Sequence, residues 1–317
     1  MQQYLAILNT VERYRDLTDE EKEFIIRKFN EQPYMDLRCD WAFKHVFQRM
    51  DLLKLLLEDL LPEDIISVEQ LNTLQALPNE IDKMRPDDKN IIMDVLVKTA
   101  DGQEIIVEMQ RKKKQSFKNR MLYYGASMLH AQLKKKESYS KLRPVYVICF
   151  MDYTLTHETD QLVYHYRMKE NTSGELYNNL LSIFLCELPR FTKLAMDGLS
   201  PVESWFYILK NMRNFAGKPE DMGTRYCAVA EASRMNDLPD EDKLKYFRGM
   251  ITEEEKLDMG QAYYEDGLRD GIEKGIEQGL SKAVLGMTRM GLAPEDIATA
   301  LEIPVEKVLA LSSPSSR

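Results

Sequence analysis

Two acidic residues, Asp94 and Glu108, have the types and the spacing that suggest metal chemistry. Each stands in a run of β-forming residues, and the two runs, 91–98 and 104–110, flank a short Ala-Asp-Gly turn. Such a pattern predicts a β-hairpin. Two carboxylates that oppose each other on one face of a sheet repel unless a cation lies between them. The pair is therefore a candidate site for a divalent metal ion.

The register of this hairpin follows from its apolar residues. Those at alternate positions are all odd-numbered: Ile91, Met93, Val95 and Val97, then Ile105, Val107 and Met109. Opposed residues share a face, so their numbers must have an even sum if both apolar sets are buried together. A two-residue turn gives an odd sum, whereas a three-residue loop closed by a left-handed Gly102 gives an even one. The predicted opposed pairs are Lys98 with Glu104, Leu96 with Ile106, Asp94 with Glu108, and Ile92 with Gln110.

The side chains on this face could hold Mg²⁺ or Mn²⁺, because both ions prefer hard oxygen ligands. Gln110 lies two residues beyond Glu108, so it points to the same face and could orient a water or a phosphate. A metal bound there would activate water and neutralise charge on a scissile phosphate. The alternative is a solvent-exposed sheet face that carries acidic residues by chance.

A dense basic run begins immediately after Gln110. Eleven Lys and Arg residues and a single acid, Glu137, lie between Arg111 and Arg143, although the whole chain has a net charge of −9. A run of one sign is often only a solvated surface. Beside a candidate metal pair, it favours a surface that attracts phosphates with salt-sensitive affinity.

The surrounding pattern predicts helices mixed with strands. Thr18 and Glu21 form a capping box that opens a helix through Asn30, whereas residues 65–72 are ambiguous between strand and loop. Further predicted helices cover residues 40–47, 52–61, 117–136, 201–212, 221–235 and 241–250. Further predicted strands cover residues 144–150, 162–168 and 181–188. The expected fold class is α/β with added C-terminal helices.

Several motifs together resemble a known family. They are the Asp40–Phe47 segment DWAFKHVF, the Val107–Gln110 strand VEMQ, Arg120 with Tyr123 and Tyr124, and Tyr139 followed by the PVYVI strand that starts at Pro144. This order resembles the Rpn family of recombination-promoting nucleases, also called PD-(D/E)xK family transposases, over roughly Pro33 to Met250. The resemblance implies a restriction-endonuclease-like core, a central mixed sheet flanked by helices.

The resemblance also implies an activity, which is metal-dependent cleavage of DNA in recombination or mobile elements. The family's acids correspond to Asp94 and Glu108, and its lysine corresponds to Gln110. Glutamine can neither act as a base nor carry positive charge. The expected metal ligands are Asp94, Glu108 and the Met109 carbonyl, and Asp40 either joins them or serves as a helix N-cap.

Candidate DNA-binding residues lie in the basic run. They are Lys112, Lys113, Lys114, Lys118, Arg120 and Tyr124. Arg120 and Tyr124 share one helical face and could contact the DNA backbone, but Tyr124 could equally belong to the core. The competing hypothesis for the whole chain is a catalytically silent, oligomerising DNA-binding or regulatory protein on the same core.

The C-terminal part has a different pattern. Glycines recur every four residues at Gly267, Gly271, Gly275 and Gly279, and two short helical patterns, 294–301 and 305–311, follow. A glycine stripe lets another helix approach closely, so we expect a homodimer formed through this helix. The alternative is a linker. The last two helices resemble a small helix-turn-helix, but Lys307 is their one basic residue, so they favour packing over DNA reading.

Three regions are expected along the chain: an N-terminal helical extension over residues 1–32, a nuclease-like domain over 33–250 and a helical tail over 251–317. No apolar run reaches the ~20 residues of a membrane span, and the N-terminus has no basic apolar leader. We therefore expect a cytoplasmic protein without membrane contacts. Four scattered cysteines and the absence of nucleotide-loop, hydrolase-elbow and HExxH motifs argue against a disulfide scaffold and several enzyme classes.

Overall fold

The computed structural model describes residues 1–77, 93–113, 116–155, 159–252, 279–301 and 303–312. The chain forms two compact units, Met1–Glu255 and Lys256–Arg317. The strands are β1 Gln75–Ala76, β2 Val95–Lys98, β3 Glu104–Gln110, β4 Val145–Met151, β5 Val163–Arg167 and β6 Leu181–Glu187. Labelled helices of the first unit are α1 Gln2–Asn9, α2 Glu12–Arg15, α3 Asp19–Asn30, α4 Asp40–Phe47, α5 Met50–Leu60, α6 Val68–Leu71, α7 Phe117–Ala131, α8 Pro201–Asn211, α9 Gly223–Ala232 and α10, residues 240–252.

The first unit is built on a six-stranded sheet in the order β1-β2-β3-β4-β6-β5. The pairs β3–β4 and β4–β6 are parallel, whereas β1–β2, β2–β3 and β5–β6 are antiparallel. Helices cover both faces of the sheet, as buried parallel strands require. The predicted α/β architecture, a central mixed sheet flanked by helices, is confirmed.

The hairpin register is confirmed in the paired strands. Lys98 opposes Glu104 and Leu96 opposes Ile106. The three-residue loop is closed by a hydrogen bond from the Thr99 N–H to the Gln103 carbonyl at 2.9 Å, and Gly102 has a φ of +92°. Strand β2 begins at Val95 rather than at residue 91. The predicted pairing of Ile92 with Gln110 lies outside the described residues.

The two faces of β3 belong to different cores. Its odd-numbered residues lie in the large core that also contains α4, α5 and α8. On the other face, Ile106 packs in a smaller core with Phe117 and Met121 of α7. Glu108 and Gln110 share the face of Ile106, since side chains alternate along a strand. The register therefore aims both polar side chains towards α7.

Two local predictions of secondary structure are wrong, and each has a physical reason. Residues 65–72 contain α6, because Ser67 and Gln70 form a capping box that neither a strand nor a loop assignment had used. Helix α7 ends at Ala131 rather than at residue 136. Lys136, near the predicted end, has a φ of +72°, which a right-handed helix does not allow.

The C-terminal unit has a small core of its own. Residues 279–289 are helical, followed by α11 Pro294–Leu301 and α12 Val305–Ser312. Their buried side chains are Val284, Ile297, Ala298 and Val308. Gly267, Gly271 and Gly275 lie outside the described residues, so the predicted glycine interface stays a prediction. Across the described ranges, no helix is both long and apolar enough to span a membrane.

Candidate active site

The hairpin holds the two predicted acids side by side through the backbone. The Asp94 N–H donates to Glu108 Oε1 at 3.1 Å, and the Met109 N–H donates to Asp94 Oδ2 at 2.7 Å. Asp94 stands one residue before β2, next to the pair of Val95 with Val107 in which the paired strands end. The two residues are only 7% and 2% exposed. Each carboxylate is therefore fixed in orientation by the partner strand.

Burial gives these acids a strong affinity for protons. Burial, followed by the charges of Glu108 and Asp40, raises the pKa of Asp94 well above its usual range. Burial likewise raises the pKa of Glu108 to about 7, against a hydrogen bond from the Asp94 N–H and the positive charges of Arg120 and Lys44. Buried acids with pKa values shifted in this way are common at functional sites.

A lysine that the sequence reasoning missed lies between the acids. Lys44 Nζ is 2.9 Å from Asp40 Oδ1 and 3.2 Å from Asp94 Oδ1. Burial opposes its charge, but Asp94 and Asp40 outweigh burial and raise the pKa of Lys44. The only local signal is the spacing of four residues between Asp40 and Lys44 in the DWAFKHVF motif, which places both on one face of α4.

Asp40 does not serve as a helix N-cap. The N-cap of α4 is Cys39, and Asp40 is the first helical residue. Its carboxylate binds Lys44 instead, and a hydrogen bond with Asp40 is one of the influences that raise the pKa of Asp94. Asp40 therefore belongs to the acidic cluster through its side chain, although it is half exposed.

Gln110 is joined to α7 through Arg120. Its side-chain amide donates to the Met109 carbonyl at 2.9 Å, and its Oε1 accepts a hydrogen bond from the Arg120 guanidinium. The guanidinium also lies over the Tyr124 ring, 5.9 Å from its centroid. Gln110 thus places a positive charge beside Glu108 without carrying one. The Met109 carbonyl, a predicted metal ligand, is engaged by this amide.

The other predicted DNA-binding residues are in different environments. Lys113 and Lys118 are exposed, and Lys113 Nζ donates to the Thr154 carbonyl at 3.3 Å. Lys112 is partly buried, and Lys114 lies outside the described residues. Tyr124 is 9% exposed and packs in the smaller core. The core alternative for Tyr124 is therefore the one observed.

The cluster can be tested for its fit to a divalent cation. Its donors are carboxylates, the ligand class that Mg²⁺ and Mn²⁺ prefer, and two raised pKa values indicate that added positive charge would be stabilising. In the described part of the chain, no three Asp, Glu, His or Cys side chains converge as a complete site. The chemistry of the donors fits a metal. A bound metal would also need ligands from water or substrate, as Mg²⁺ usually has.

Comparisons with known proteins agree with these features. The model of the PD-(D/E)XK nuclease family transposases matches residues 37–258, which is more than half of the chain. Asp40, Lys44, Asp94, Glu108 and Gln110 all lie inside the matched segment. Neither the curated proteins nor the solved structures include a significant match.

Proposed function

The chain belongs to the PD-(D/E)XK nuclease family transposases, and from that premise we propose that it is a divalent-metal-dependent endonuclease that hydrolyses phosphodiester bonds in DNA. The observation that carries this proposal is the pair of buried carboxylates, Asp94 and Glu108, held together by hydrogen bonds to backbone N–H groups. Burying two adjacent acids is costly unless positive charge compensates them.

Asp94 and Glu108 would hold Mg²⁺ or Mn²⁺, with the Met109 carbonyl as a further oxygen. When bound, such an ion supplies Lewis acidity and a water of lowered pKa. The protein's own contribution is orientation, because backbone N–H groups hold both carboxylates in place before any metal arrives. Asp40 adds negative charge at the exposed edge of the cluster.

Lys44 would take the role of the lysine that the family motif places at Gln110. Its raised pKa keeps the ammonium charged at neutral pH, so it acts as a cation and not as a base. A charge there can orient a phosphate and stabilise the negative charge that develops during hydrolysis. Arg120, held by Gln110, would contribute a second donor from the side of α7.

A catalytically silent DNA-binding or regulatory protein is the second candidate. One observation favours it: Lys44 already pairs with Asp94, so part of the acidic charge is neutralised without metal. In this alternative the cluster is a structural ion-pair network. The proposed endonuclease requires that a metal ion bind despite Lys44.

We also propose four features of the protein that do not follow from the geometry of the site. They are a role in recombination or mobile elements, a cytoplasmic location, homodimer formation through the C-terminal helix, and the three-region division at residues 32 and 250. A dimer would present two active sites, as cutting both strands in one encounter requires.

Cleavage of supercoiled plasmid tests the proposal. The full chain is incubated with Mg²⁺ or Mn²⁺, with EDTA, and as the Asp94→Asn variant, with the exposed Asp197→Asn as the matched control. We expect metal-dependent nicking or linearisation by the wild type and by Asp197→Asn alone. Tight DNA binding without cleavage in either metal would favour the silent alternative, and cleavage that survives EDTA would exclude the metal site.

A further inference from the structure

Helix α7 has one face that the sheet does not cover. It buries Phe117, Met121 and Met128 in the smaller core. The opposite face exposes Lys118, Asn119, Leu122, Tyr123, Ala126 and His130. The Leu122 and Tyr123 side chains are 54% and 44% exposed, and the helix contains no Asp or Glu. This face thus combines large apolar surface with the absence of negative charge.

A lysine-rich turn follows the helix. Lys134, Lys135 and Lys136 are all exposed, and Tyr139 is 83% exposed. Lys136 is the non-glycine residue with positive φ among the described residues, and the Glu137 N–H closes the turn onto the Lys134 carbonyl at 3.1 Å. A left-handed conformation is uncommon for lysine, so the turn holds three adjacent cations outward at a conformational cost.

The turn and the candidate active site lie at opposite ends of the central strands. Glu108 and Gln110 stand at the carboxyl end of β3, whereas the turn leads into the amino end of the parallel strand β4. Gln132, just after α7, accepts a hydrogen bond from the Arg143 N–H at 2.8 Å. This bond anchors the turn beside the amino end of β4. Fifteen helical residues span about 22 Å at a rise of about 1.5 Å each. The α7 face therefore extends from the end of the strands that carries the candidate active site to the end that carries the turn.

We infer that this face, from Lys118 through Tyr123 to the Lys134–Lys136 turn and Tyr139, binds a single-stranded DNA segment that continues from the DNA held at the active site. The inference rests on the proposed function. Charge complementarity supports it, because the segment between Arg111 and Arg143 carries eleven basic residues against one acid in a chain that is acidic overall. Lysines at both ends of the face would contact phosphates.

The exposed rings of Tyr123 and Tyr139 favour single-stranded over duplex DNA as the ligand of this face. In a duplex the bases are already stacked, so Tyr123 and Tyr139 would find only backbone to contact. In a single strand each base offers a free π-face, and proteins that bind single strands combine a cationic groove with aromatic residues. Site sizes of roughly 4 to 16 nucleotides are usual for such surfaces. The exposed Leu122 adds apolar surface between the cations.

The test is equilibrium binding of labelled DNA to the full chain in EDTA, so that cleavage plays no part. The probes are a blunt duplex and the same duplex with a ten-nucleotide single-stranded extension. We expect the extension to tighten wild-type binding about tenfold or more, since stacking of one or two bases supplies that much. The double variant Tyr123→Ala/Tyr139→Ala should lose this gain and keep the affinity for blunt duplex.

Two matched controls separate the site from general surface effects. Tyr166→Ala/Tyr177→Ala removes two rings of similar exposure, 41% and 75%, and should retain the gain. The triple variant Lys134→Gln/Lys135→Gln/Lys136→Gln should weaken binding of the extended probe and reduce its salt slope by about 2, at roughly 0.7 per phosphate contact. Lys28→Gln/Lys169→Gln/Lys218→Gln makes the same charge change at exposed positions elsewhere and should leave that slope unchanged.

Several results would overturn the inference. Equal wild-type affinity for blunt and extended probes would exclude a single-strand site. An unchanged gain in the tyrosine variant, together with equal losses on both probes in the lysine variant, would assign the face to duplex phosphates. Binding of a poly-glutamate peptide as tight as that of the extended probe would make the surface a general anion binder. Each outcome is independent of whether the Asp94 and Glu108 site cleaves DNA.

Discussion

The acidic cluster at the hairpin and the basic face of α7 handle charge in opposite ways. Asp94 and Glu108 are buried, and each accepts a hydrogen bond from the backbone of the opposing strand. The lysines at Lys118 and Lys134–Lys136 are exposed to water. In the interior, each charge depends strongly on its neighbours, whereas on the surface solvent and salt screen it. The acidic cluster is therefore suited to precise chemistry, whereas the basic face of α7 is suited to attracting a polyanion over a longer distance.

The largest expected effect comes from the buried region. Asp94→Asn keeps an oxygen to accept the Met109 N–H but removes a charged metal ligand. We expect cleavage to fall by at least about a hundredfold, since even residues that only support a metal ligand are worth 10- to 100-fold. Initial rates on plasmid measure this, with the melting temperature as a check on folding. Retention of more than about a third of the activity would remove Asp94 from the metal site.

Substitution of Lys44 sharpens the comparison, because Lys44 is a cation that the acids hold inside the cluster. Lys44→Met should lower cleavage by roughly ten- to a hundredfold through loss of charge stabilisation near the phosphate. Lys44→Arg keeps the charge and should restore part of the rate. Lys210, which donates to the Phe191 carbonyl, provides the control variant Lys210→Met. Equal activity of Lys44→Met and wild type would make Lys44 a structural counter-ion only.

The buried acids should contribute a pH dependence of stability, which the lowered pKa of His165 opposes below about pH 6.5. Glu108 has a pKa of about 7 in the folded protein and an ordinary value of 4.5, so the folded state holds its proton more tightly. The resulting stability is fully present below pH 4.5 and is lost as the pH rises towards 7. At 1.36 kcal/mol per pKa unit, the loss is at most about 3 kcal/mol.

Denaturant unfolding of the metal-free protein between pH 5 and 8 measures this loss. Glu108→Gln cannot titrate at this position, so the stability of the wild type relative to this variant should fall as the pH rises from 5 to 8, and contributions that both proteins share, such as that of His165, cancel in the difference. Divalent metal should reverse the wild-type trend, because it competes with the proton for the carboxylates. Parallel profiles for the two proteins would mean that Glu108 is not buried with a raised pKa.

The smallest effect is expected for one surface cation. Lys118→Gln should weaken binding of DNA with a single-stranded extension two- to fivefold at low salt and reduce the slope of log affinity against log salt by about 0.7, as expected for one single-strand phosphate contact. Cleavage at saturating DNA should not change. Lys28→Gln serves as the control, because Lys28 is exposed and its contacts with Glu31 and Phe24 are local to α3. A changed maximal rate of cleavage would mean that Lys118 acts in the hydrolysis step and not only in DNA binding.

Local structure was well predicted where one signal acts over a few residues. The capping box of Thr18 and Glu21 begins α3 as expected, and the parity of apolar residues determined the β2–β3 register. Prediction was wrong where two signals compete. Residues 65–72 have strand-like apolar content, but the short Ser67 to Gln70 capping box forms α6 instead. Helical periodicity likewise continues past Ala131, although the chain turns there.

The sequence by itself determined that Asp94 and Glu108 lie side by side, because they are only fourteen residues apart in one hairpin and because the apolar faces of its strands fix the register. Only the tertiary structure decided that Lys44 joins them, since α4 is fifty residues away from Asp94 and reaches it through packing in the large core. The same is true of Tyr124, whose burial depends on α7 packing on the sheet. Residue patterns encode contacts within an element or a hairpin, whereas contacts between distant elements depend on how whole faces pack together.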